Sequence, residues 1–241
     1  LICRQVRELS IMLDSFLNRN RIMHKEIISI IGAGGKTTLI HRLADEYRKQ
    51  NNKVLICTTT HMFREPETDI SCNAEQIIAK MEQQGSCMAG KLDEENSDKI
   101  TSLSEDVLRR AMNHADVTLI EADGSKHLPV KYPGAHEPVI YPYSTKIILV
   151  MGLWTLGEPI KKTVFRYEEL IKRFGWREED VLTFEMLNVI IRDGYMKKLL
   201  TEENSIEMQI LFTEKVLCRN KDQNVKVHCR SGIRICSAFF E

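Results

Sequence analysis

This sequence lacks the long apolar run and the net charge that would direct it to a membrane or to nucleic acid. No stretch of its 241 residues approaches the roughly 20 apolar residues that cross a bilayer. Lys and Arg number 34, as do Asp and Glu, so the formal net charge is zero and gives no attraction to polyanions. Residues 1–21 have scattered charges and no small-residue cleavage site, unlike a secretory signal. We therefore expect a cytoplasmic protein whose partners include neither nucleic acid nor membrane.

The cysteines lack the spacing of a disulfide framework or a zinc site. There are 7 of them, an odd number, and no two form a C-x-x-C pair. Free thiols in a reducing compartment are the simplest interpretation. The alternative is a thiol that handles redox chemistry or a chalcogen, although buried cysteine usually behaves as a small hydrophobic residue.

The apolar pattern predicts an α/β fold. "EIISIIG" and "VLICTTT" read as buried parallel strands on either side of an amphipathic helix, "KTTLIHRLADEYRKQ". We predict an N-terminal helix over residues 1–24 and a three-layer, P-loop NTPase-like domain over residues 25–215. Its sheet should be mainly parallel, and residues 151–205 should form a smaller, mostly helical C-terminal part. Residues 216–241 are basic, rich in cysteine and without periodicity, which indicates an atypical, disordered tail.

The segment "GAGGKTT" lies between the first predicted strand and its helix, where a phosphate-binding loop belongs. The G-x-x-x-x-G-K-[ST] pattern lacks its first glycine, because that position is Ile30. Ile30 precedes the tight part of the loop, so the backbone can still curl around phosphate oxygens while the helix directs its N-terminus at them. Lys36 would reach the β- and γ-phosphates, and Thr37 would ligate Mg²⁺. The predicted nucleotide-binding residues are Gly32, Ala33, Gly34, Gly35, Lys36, Thr37 and Thr38.

Two related kinds of nucleotide-binding loop fit the sequence less well, and the sequence does not identify the base of the nucleotide. A dinucleotide fold would need glycine at Thr37 and an acid after the second strand. The loop of partitioning ATPases would need lysine at Ile31. An Asn-Lys-x-Asp motif for guanine would need asparagine at Thr213 and aspartate at Leu217. ATP and GTP therefore remain alternatives.

A second acidic motif, "VTLIEADGSK", ends another predicted strand. Side chains alternate along a strand, so Glu121 and Asp123 should face the same side. With Lys36 they are the candidate catalytic residues: Asp123 for the metal, and Glu121 for a water or a nucleophile. The alternative is that both acids only form a turn with Gly124.

The threonine run "TTTHM" follows the second strand and should also lie near the loop, because ligands bind at the carboxyl ends of parallel strands. Thr60 and His61 are candidates for sensing the γ-phosphate or a second substrate. A capping or core histidine is an equal alternative for His61.

Together with "HEPVI" and "FRYEEL", these motifs make residues 26–200 resemble the YqeC-type accessory proteins of selenium-dependent molybdenum hydroxylases, also described as selenium cofactor biosynthesis proteins. The resemblance implies a nucleotide-binding maturation factor, similar in design to GTPases that insert metals into enzymes. It also implies that four further residues line the site or its mobile neighbours: Lys126, His136, Glu137 and Arg166. Two departures are Phe165, where histidine is expected, and a late strand without Asn-Lys.

Plainer interpretations of these residues stay open. Lys126 and Lys131 would be solvated loop charges, His136 would cap a turn, and Arg166 would pair with Glu169 at helical spacing.

The leading hypothesis is an NTPase switch that uses Mg²⁺ with ATP or GTP. Its partner would be a molybdenum hydroxylase or the machinery that makes its cofactor, and a homodimer is compatible with it. One alternative is a small-molecule kinase in which Lys126 or Lys131 clamps an anionic acceptor. The other is a non-catalytic adaptor that binds nucleotide only for stability.

Overall fold

The computed structural model describes residues 25–199, 206–215 and 233–240, with residues 214–215 and 233–240 described by their backbone only. The predicted N-terminal helix over residues 1–24 lies outside these ranges. So does most of the tail after residue 215, and the atypical character of that tail stays a prediction.

The centre of the fold is a seven-stranded sheet. Its strands are β1 (Glu26–Gly32), β2 (Val54–Thr58), β4 (Ser86–Met88), β7 (Val117–Glu121), β9 (Lys146–Gly152), β11 (Glu207–Lys215) and β12 (Ile233–Phe240). They lie in the order β12-β11-β9-β1-β7-β2-β4, and every pairing is parallel. The runs "EIISIIG" and "KIILVMG" are nearly continuous in apolar residues because both faces of a central parallel strand are covered.

Helices cover both faces of this sheet. Helix α1 (Lys36–Lys49) packs on one face, where Leu39, Ile40 and Leu43 meet the even-numbered isoleucines of β1. The other face carries α2 (Ala74–Gln84), α3 (Glu105–Met112) and the C-terminal helical part. That part contains a 3-10 turn (Leu153–Thr155), α4 (Ile160–Thr163), α5 (Tyr167–Phe174), α6 (Phe184–Val189), a π-helical turn (Ile190–Met196) and α7 (Lys197–Leu199).

Local capping explains where several helices begin and end. Asn73 accepts a hydrogen bond from the Gln76 N–H and starts α2, and Gly85 ends it in the left-handed conformation. Thr183 caps α6 in the same way as Asn73, through the Met186 N–H. Polar residues at these positions therefore set the helix lengths that the apolar pattern alone leaves open.

Two small sheets flank the carboxyl ends of the main strands. Strands β3 (His61–Phe63), β5 (Lys91–Leu92) and β6 (Lys99–Thr101) form an antiparallel sheet in the order β3-β6-β5. Strand β8 (Val130–Lys131) pairs with β10 (Val164–Phe165) and joins the loop after β7 to the C-terminal helical part. Residues of both small sheets and of the loop that follows β1 line one cavity.

The expected α/β, three-layer arrangement with a parallel sheet and a smaller helical C-terminal part is confirmed. The sequence "GSCMAGKLDEENSDKI" predicts a hairpin or a loop over residues 85–100, and the structure forms the β5–β6 hairpin there, with β6 extending to Thr101. Strands β4 and β12 had not been predicted. Within the described ranges, no helix combines the length and apolar character that a membrane crossing requires.

Candidate functional site

A cavity of about 810 Å³ opens where β1, β2 and β7 end. Its walls are the loop after β1, the segment after Glu121, and the β3 and β6 strands of the small antiparallel sheet. This is the edge of a parallel sheet at which ligands bind in open α/β folds. The candidate residues that line it are Gly34, Gly35, Lys36, Thr37, Thr38, Thr60, His61, Glu121, Lys126, Glu137 and Arg166.

The glycine loop requires two of its glycines for steric reasons. Gly32 has φ +90°, and a Cβ there would overlap the Val150 carbonyl oxygen. Gly34 has φ +83°, and its Cβ would lie 2.6 Å from the Pro129 carbonyl oxygen. Both the left-handed conformation and the close neighbours therefore exclude a side chain.

The absent first glycine of the motif has a structural reason. Ile30 lies inside β1, is fully buried, and belongs to the core beneath α1. Its backbone pairs with Glu121 on one side and Ile148 on the other. An apolar side chain is needed at this position, and the tight turn begins only at Gly32.

Thr213, where a guanine-recognition motif would place asparagine, supports the loop from behind. Its hydroxyl donates a hydrogen bond to the Gly34 carbonyl oxygen at 2.5 Å, and it is fully buried. The Ala33 N–H donates to the Val150 carbonyl at 2.8 Å. The ends of β9 and β11 thus hold the loop in shape.

Lys36, the first residue of α1, is held against both candidate acids. It is 5% exposed, and its Nζ lies 2.6 Å from Asp123 Oδ1 and 3.6 Å from Glu121 Oε1. It also donates to the Asp123 backbone carbonyl. The structure therefore brings together the three residues predicted to be catalytic.

Asp123 is fully buried, and both of its carboxylate oxygens are engaged. Each accepts from the Gly32 N–H at 3.1 Å, and Oδ2 also lies 3.2 Å from Lys131 Nζ. Lys36 completes the set on Oδ1. Asp123 therefore links the backbone of Gly32, at the start of the loop, to the ammonium groups of Lys36 and Lys131.

Lys131 is fully buried, so its interpretation as a solvated loop charge is wrong. Its Nζ pairs with Glu137 Oε2 at 2.8 Å and donates to the Gly124 carbonyl at 2.6 Å. Glu137 in turn pairs with Arg166, which had been expected to pair with Glu169 in the plainer interpretation. An ionic chain of Asp123, Lys131, Glu137 and Arg166 therefore runs from the loop to the start of α5.

Burial and charge shift the two glutamates in opposite directions. Burial, with the nearby Asp123 charge adding to it, raises the pKa of Glu121 although Lys36 opposes the shift. Burial would also raise the pKa of Glu137, but hydrogen bonds from Arg166 and Lys131 outweigh it and bring that pKa from 4.5 to about 2. Glu137 is thus a fixed anion, whereas Glu121 gains a proton more readily than an ordinary glutamate.

Thr60 and His61 both line the cavity, in different settings. The Thr60 N–H donates to Thr58 Oγ1 at 3.0 Å, but its own hydroxyl oxygen is buried and lacks a hydrogen-bond partner among the described residues. His61 is exposed, and its Nε2 lies 3.3 Å from Asp93 Oδ2. His61 therefore lies at the exposed edge of the cavity, on strand β3 of the small antiparallel sheet.

Lys126 and His136, both expected at the site, differ in position. Lys126 reaches the cavity with its Nζ 5.4 Å from the centroid of the Phe165 ring. His136 is exposed in the turn closed by the Glu137 N–H and the Gly134 carbonyl, and it does not line the cavity. The structure does not bring His136 to the other candidates.

Several cavity residues were missed by sequence reasoning. They are Phe63, Lys99, Ser125, His127, Trp154 and Phe165, the last noted only as a departure from the family pattern. Lys99 reaches the cavity because β6 pairs with β3, and its Nζ lies 5.1 Å from the Phe63 ring centroid. No local motif marks such a residue, since only strand pairing brings it to the site.

The residues expected to hold Mg²⁺ fit a largely hydrated ion. Thr37 is exposed at the cavity, where its hydroxyl is available as a ligand. Glu121 also faces the cavity, whereas Asp123 is fully engaged and would ligate directly only after Lys36 moves. No cluster of three or more His, Cys, Asp or Glu that would hold a metal occurs in the part of the chain that the structure describes. Such an ion would take its other ligands from phosphate and water.

The described cysteines do not favour thiol chemistry. Cys57, Cys72 and Cys87 are free, and the first and last are buried. Burial raises the pKa of Cys57 and that of Cys87 to about 12. Neither thiol is therefore a ready nucleophile near neutral pH.

Comparison with known proteins identifies a family and a relative that are similar to this chain. Residues 28–168, more than half of the chain, match the family described as YqeC protein. A protein of Escherichia coli (strain K12) named "Uncharacterized protein YqeC" is 32% identical over 178 residues, which cover 69% of this chain and 67% of that protein. No solved structure matches the chain.

Proposed function

The chain belongs to the YqeC family, and from this premise and the loop geometry we propose that it binds a magnesium nucleotide and hydrolyses it. We further propose that it acts as an accessory factor in the maturation of a selenium-dependent molybdenum hydroxylase, in the synthesis or insertion of its selenium cofactor. The observation that carries the nucleotide proposal is the position of Lys36. It stands at the start of α1, beside a loop bent by Gly32 and Gly34, and against Asp123 and Glu121.

The phosphates would lie at the N-terminus of α1. The first N–H groups of a helix lack partners within it, and the helix dipole favours negative charge there. Lys36 would leave Asp123 for the β- and γ-phosphates, and Asp123 would keep its partners Lys131 and Gly32. The ionic chain thus leaves Asp123 compensated when the loop is filled.

Mg²⁺ would be ligated directly by Thr37. Glu121 or Asp123 would hold it either directly or through a water molecule. When bound, the ion neutralises negative charge on the phosphates. Glu121 would orient the attacking water. Its raised pKa makes its ionised form a better proton acceptor than an ordinary glutamate. Loss of the γ-phosphate would release the segments around Thr60 and Gly124, which both border the cavity.

A nucleotide panel with and without Mg²⁺ tests the proposal through melting temperature and phosphate release. A ligand at 100 times its Kd stabilises the fold by about 2.7 kcal/mol, or several degrees of melting temperature for a chain of this length. ATP, GTP or both should produce this shift, and Lys36→Ala should abolish both the shift and the turnover. Lys172→Ala changes an exposed lysine and should retain both. Unchanged affinity and turnover in Lys36→Ala would show the proposal to be wrong.

A small-molecule kinase is the second candidate, and the extent of the cavity favours it. Beyond the loop, the same cavity is lined by Lys99, Lys126 and Arg166, which suit an anionic acceptor. Phosphate release without an acceptor would favour hydrolysis, whereas strict dependence on an acceptor would favour the kinase. A thermal shift without turnover under any condition would indicate an adaptor.

A further inference from the structure

We propose that the cavity contains a second subsite, for the phosphate or carboxylate group of a small molecule other than the nucleotide. It is formed by the segment of residues 124–129 together with strands β3 and β6. The His127 and Phe63 rings, 5.2 Å apart between centroids, join these two walls. The subsite rests on the proposed function only in sharing the cavity with the nucleotide loop.

The cations of the cavity divide into two groups. Lys36 and Arg166 each pair directly with a carboxylate, as does the buried Lys131 behind them. Lys99 and Lys126 instead lie over the Phe63 and Phe165 rings, at 5.1 and 5.4 Å from the centroids. Among the described residues neither Lys99 nor Lys126 pairs with a carboxylate within 4.0 Å. The hydrogen bond from the Glu95 N–H is the largest of several causes that lower the pKa of Asp93, and the Lys99 charge is the last of them. Both lysines therefore line the cavity without a close ion-pair partner.

A buried hydroxyl in the same cavity independently indicates a polar ligand. Thr60 Oγ1 is shielded from solvent and has no hydrogen-bond partner among the described residues. A buried polar group without a partner is costly, so such groups are rare in folded proteins. The hydroxyl would donate to an oxygen of a bound anion after the Thr60 side chain rotates toward the cavity that this residue lines.

The backbone of the subsite is strained at two consecutive residues. Lys126 and His127 are consecutive non-glycine residues with φ +47° and +62°. Such conformations are sparsely populated and persist where the surrounding structure determines them. They turn Lys126 toward the Phe165 ring and His127 toward the Phe63 ring. Lys99, Lys126 and Thr60 all line this cavity, and their ammonium and hydroxyl groups are donors that suit a phosphate or carboxylate.

Inorganic phosphate is the probe, and calorimetric titration is the measurement. Lys36→Ala removes the ammonium group of the nucleotide loop and weakens phosphate binding at the N-terminus of α1, so that dependence on Lys126 identifies the phosphate bound at the second subsite. We expect Lys36→Ala to retain phosphate binding. Adding Lys126→Gln to it should weaken that binding on the order of tenfold, the effect of losing one charge-assisted hydrogen bond. Adding Lys172→Gln instead makes the same charge change on an exposed lysine outside the cavity and should have no effect.

Other outcomes overturn the subsite. Loss of all phosphate binding in Lys36→Ala would mean that the loop alone binds phosphate, and binding unaffected by Lys126→Gln would place the anion elsewhere. No phosphate binding at millimolar concentration in the unmodified protein would also refute it. Circular dichroism and melting temperature establish that each variant is folded.

Nucleotides distinguish a second molecule from the γ-phosphate. With the loop saturated by a nucleoside diphosphate, phosphate should still bind, and a nonhydrolysable triphosphate should leave that binding in place. Blocking by the triphosphate alone would identify the subsite as the γ-phosphate position and overturn the inference. If no nucleotide binds at all while the Lys126-dependent phosphate site persists, the proposed function fails and the subsite stands.

Discussion

Lys131 shows how a single buried ammonium group can connect two parts of the site. It is surrounded by the Asp123 and Glu137 carboxylates and the Gly124 carbonyl, and water does not reach it. A buried ion pair contributes little compared with an apolar replacement of the whole pair, but loss of one partner leaves an uncompensated buried charge. The stability of the site therefore depends on keeping all members of the ionic chain together.

Replacing Lys131 with Met should destabilise the fold by about 3–5 kcal/mol. The reason is that Asp123 and Glu137 would lose a shared cation in a buried position. Urea unfolding measures the change. Lys172→Met, on an exposed lysine, should stay within about 0.5 kcal/mol of the unmodified protein. A loss below about 1 kcal/mol for Lys131→Met would show that water or a rearrangement compensates the two acids.

Glu137 should give the protein a component of acid sensitivity. Its folded-state pKa of about 2 lies below its ordinary value of 4.5, so its contribution is present above pH 4.5 and is lost as pH falls toward 2. Glu137→Gln should reduce the free energy of unfolding at neutral pH, on the order of 2–3 kcal/mol, and the difference should shrink on acidification. Urea midpoints from neutral pH downward measure it. Glu169→Gln changes an exposed glutamate, so the pH dependence of its urea midpoint should be parallel to that of the unmodified protein.

The position of a site residue could be predicted where a short sequence motif contains it. It could not be predicted where contacts with distant parts of the chain bring the residue to the site. The loop lysine and the two acids after β7 lie in short motifs with a defined chemistry, and the structure brings them together. Lys131 lies in a proline-containing segment with no motif, and contacts with distant parts of the chain, among them the β8–β10 pairing and Asp123, bury it. His136 sits next to Glu137 in sequence, yet the turn points it to solvent.

At the scale of elements, the loop after β1 is constrained by the strand beside it. The β9 backbone passes so close to Gly32 that it acts as a wall, and Pro129 and Gly152 do the same for Gly34. The loop shape is therefore a property of three segments together and not of the glycines alone.

Gly32→Ala should lower the free energy of unfolding by roughly 2–5 kcal/mol, combining left-handed strain with overpacking. The new Cβ would overlap the Val150 carbonyl and lie 2.8 Å from Leu149 Cδ1. Gly124→Ala is the matched control, since its Cβ would meet nothing within 4 Å. Thermal or urea unfolding of both variants tests this, and equal stability of the two would contradict the steric account.

Strands with long apolar runs were predictable, while short or polar ones depend on their neighbours. β1, β7 and β9 carry enough apolar residues to indicate burial on both faces. β4 has three residues, and it is a strand because it extends the sheet beside β2. β12 pairs with β11 over residues whose sequence shows no strand periodicity.

At the scale of the whole molecule, the C-terminal helical part shares one core with the sheet. Leu187 and Ile190 belong to the same buried cluster as Ile31 and Leu149, on the face opposite α1. Tyr195, fully buried, donates a hydrogen bond to the Lys131 carbonyl at 3.2 Å and joins this core to the site. The helical part is thus one wall of the domain and not a separate appendage.

The described domain should therefore unfold in one transition. Trp154 and Trp176, the two tryptophans, report on the C-terminal part, and far-UV circular dichroism reports on all elements. Their urea midpoints should coincide, and Leu187→Ala should shift both together by an amount equivalent to about 2–5 kcal/mol. Val181→Ala, at an exposed position, should leave them in place. Separate midpoints would mean that the helical part folds independently.

The hydrogen bond from Thr213 to Gly34 joins residues 179 positions apart, and this separation has a consequence for co-translational folding. A chain leaving the ribosome exposes its glycine loop first, and Thr213, which supports the loop, is synthesised 179 residues later. The loop can reach its final shape only after β11 has joined β9. We expect the glycine loop of a nascent chain to lack this support until β11 has emerged and paired with β9.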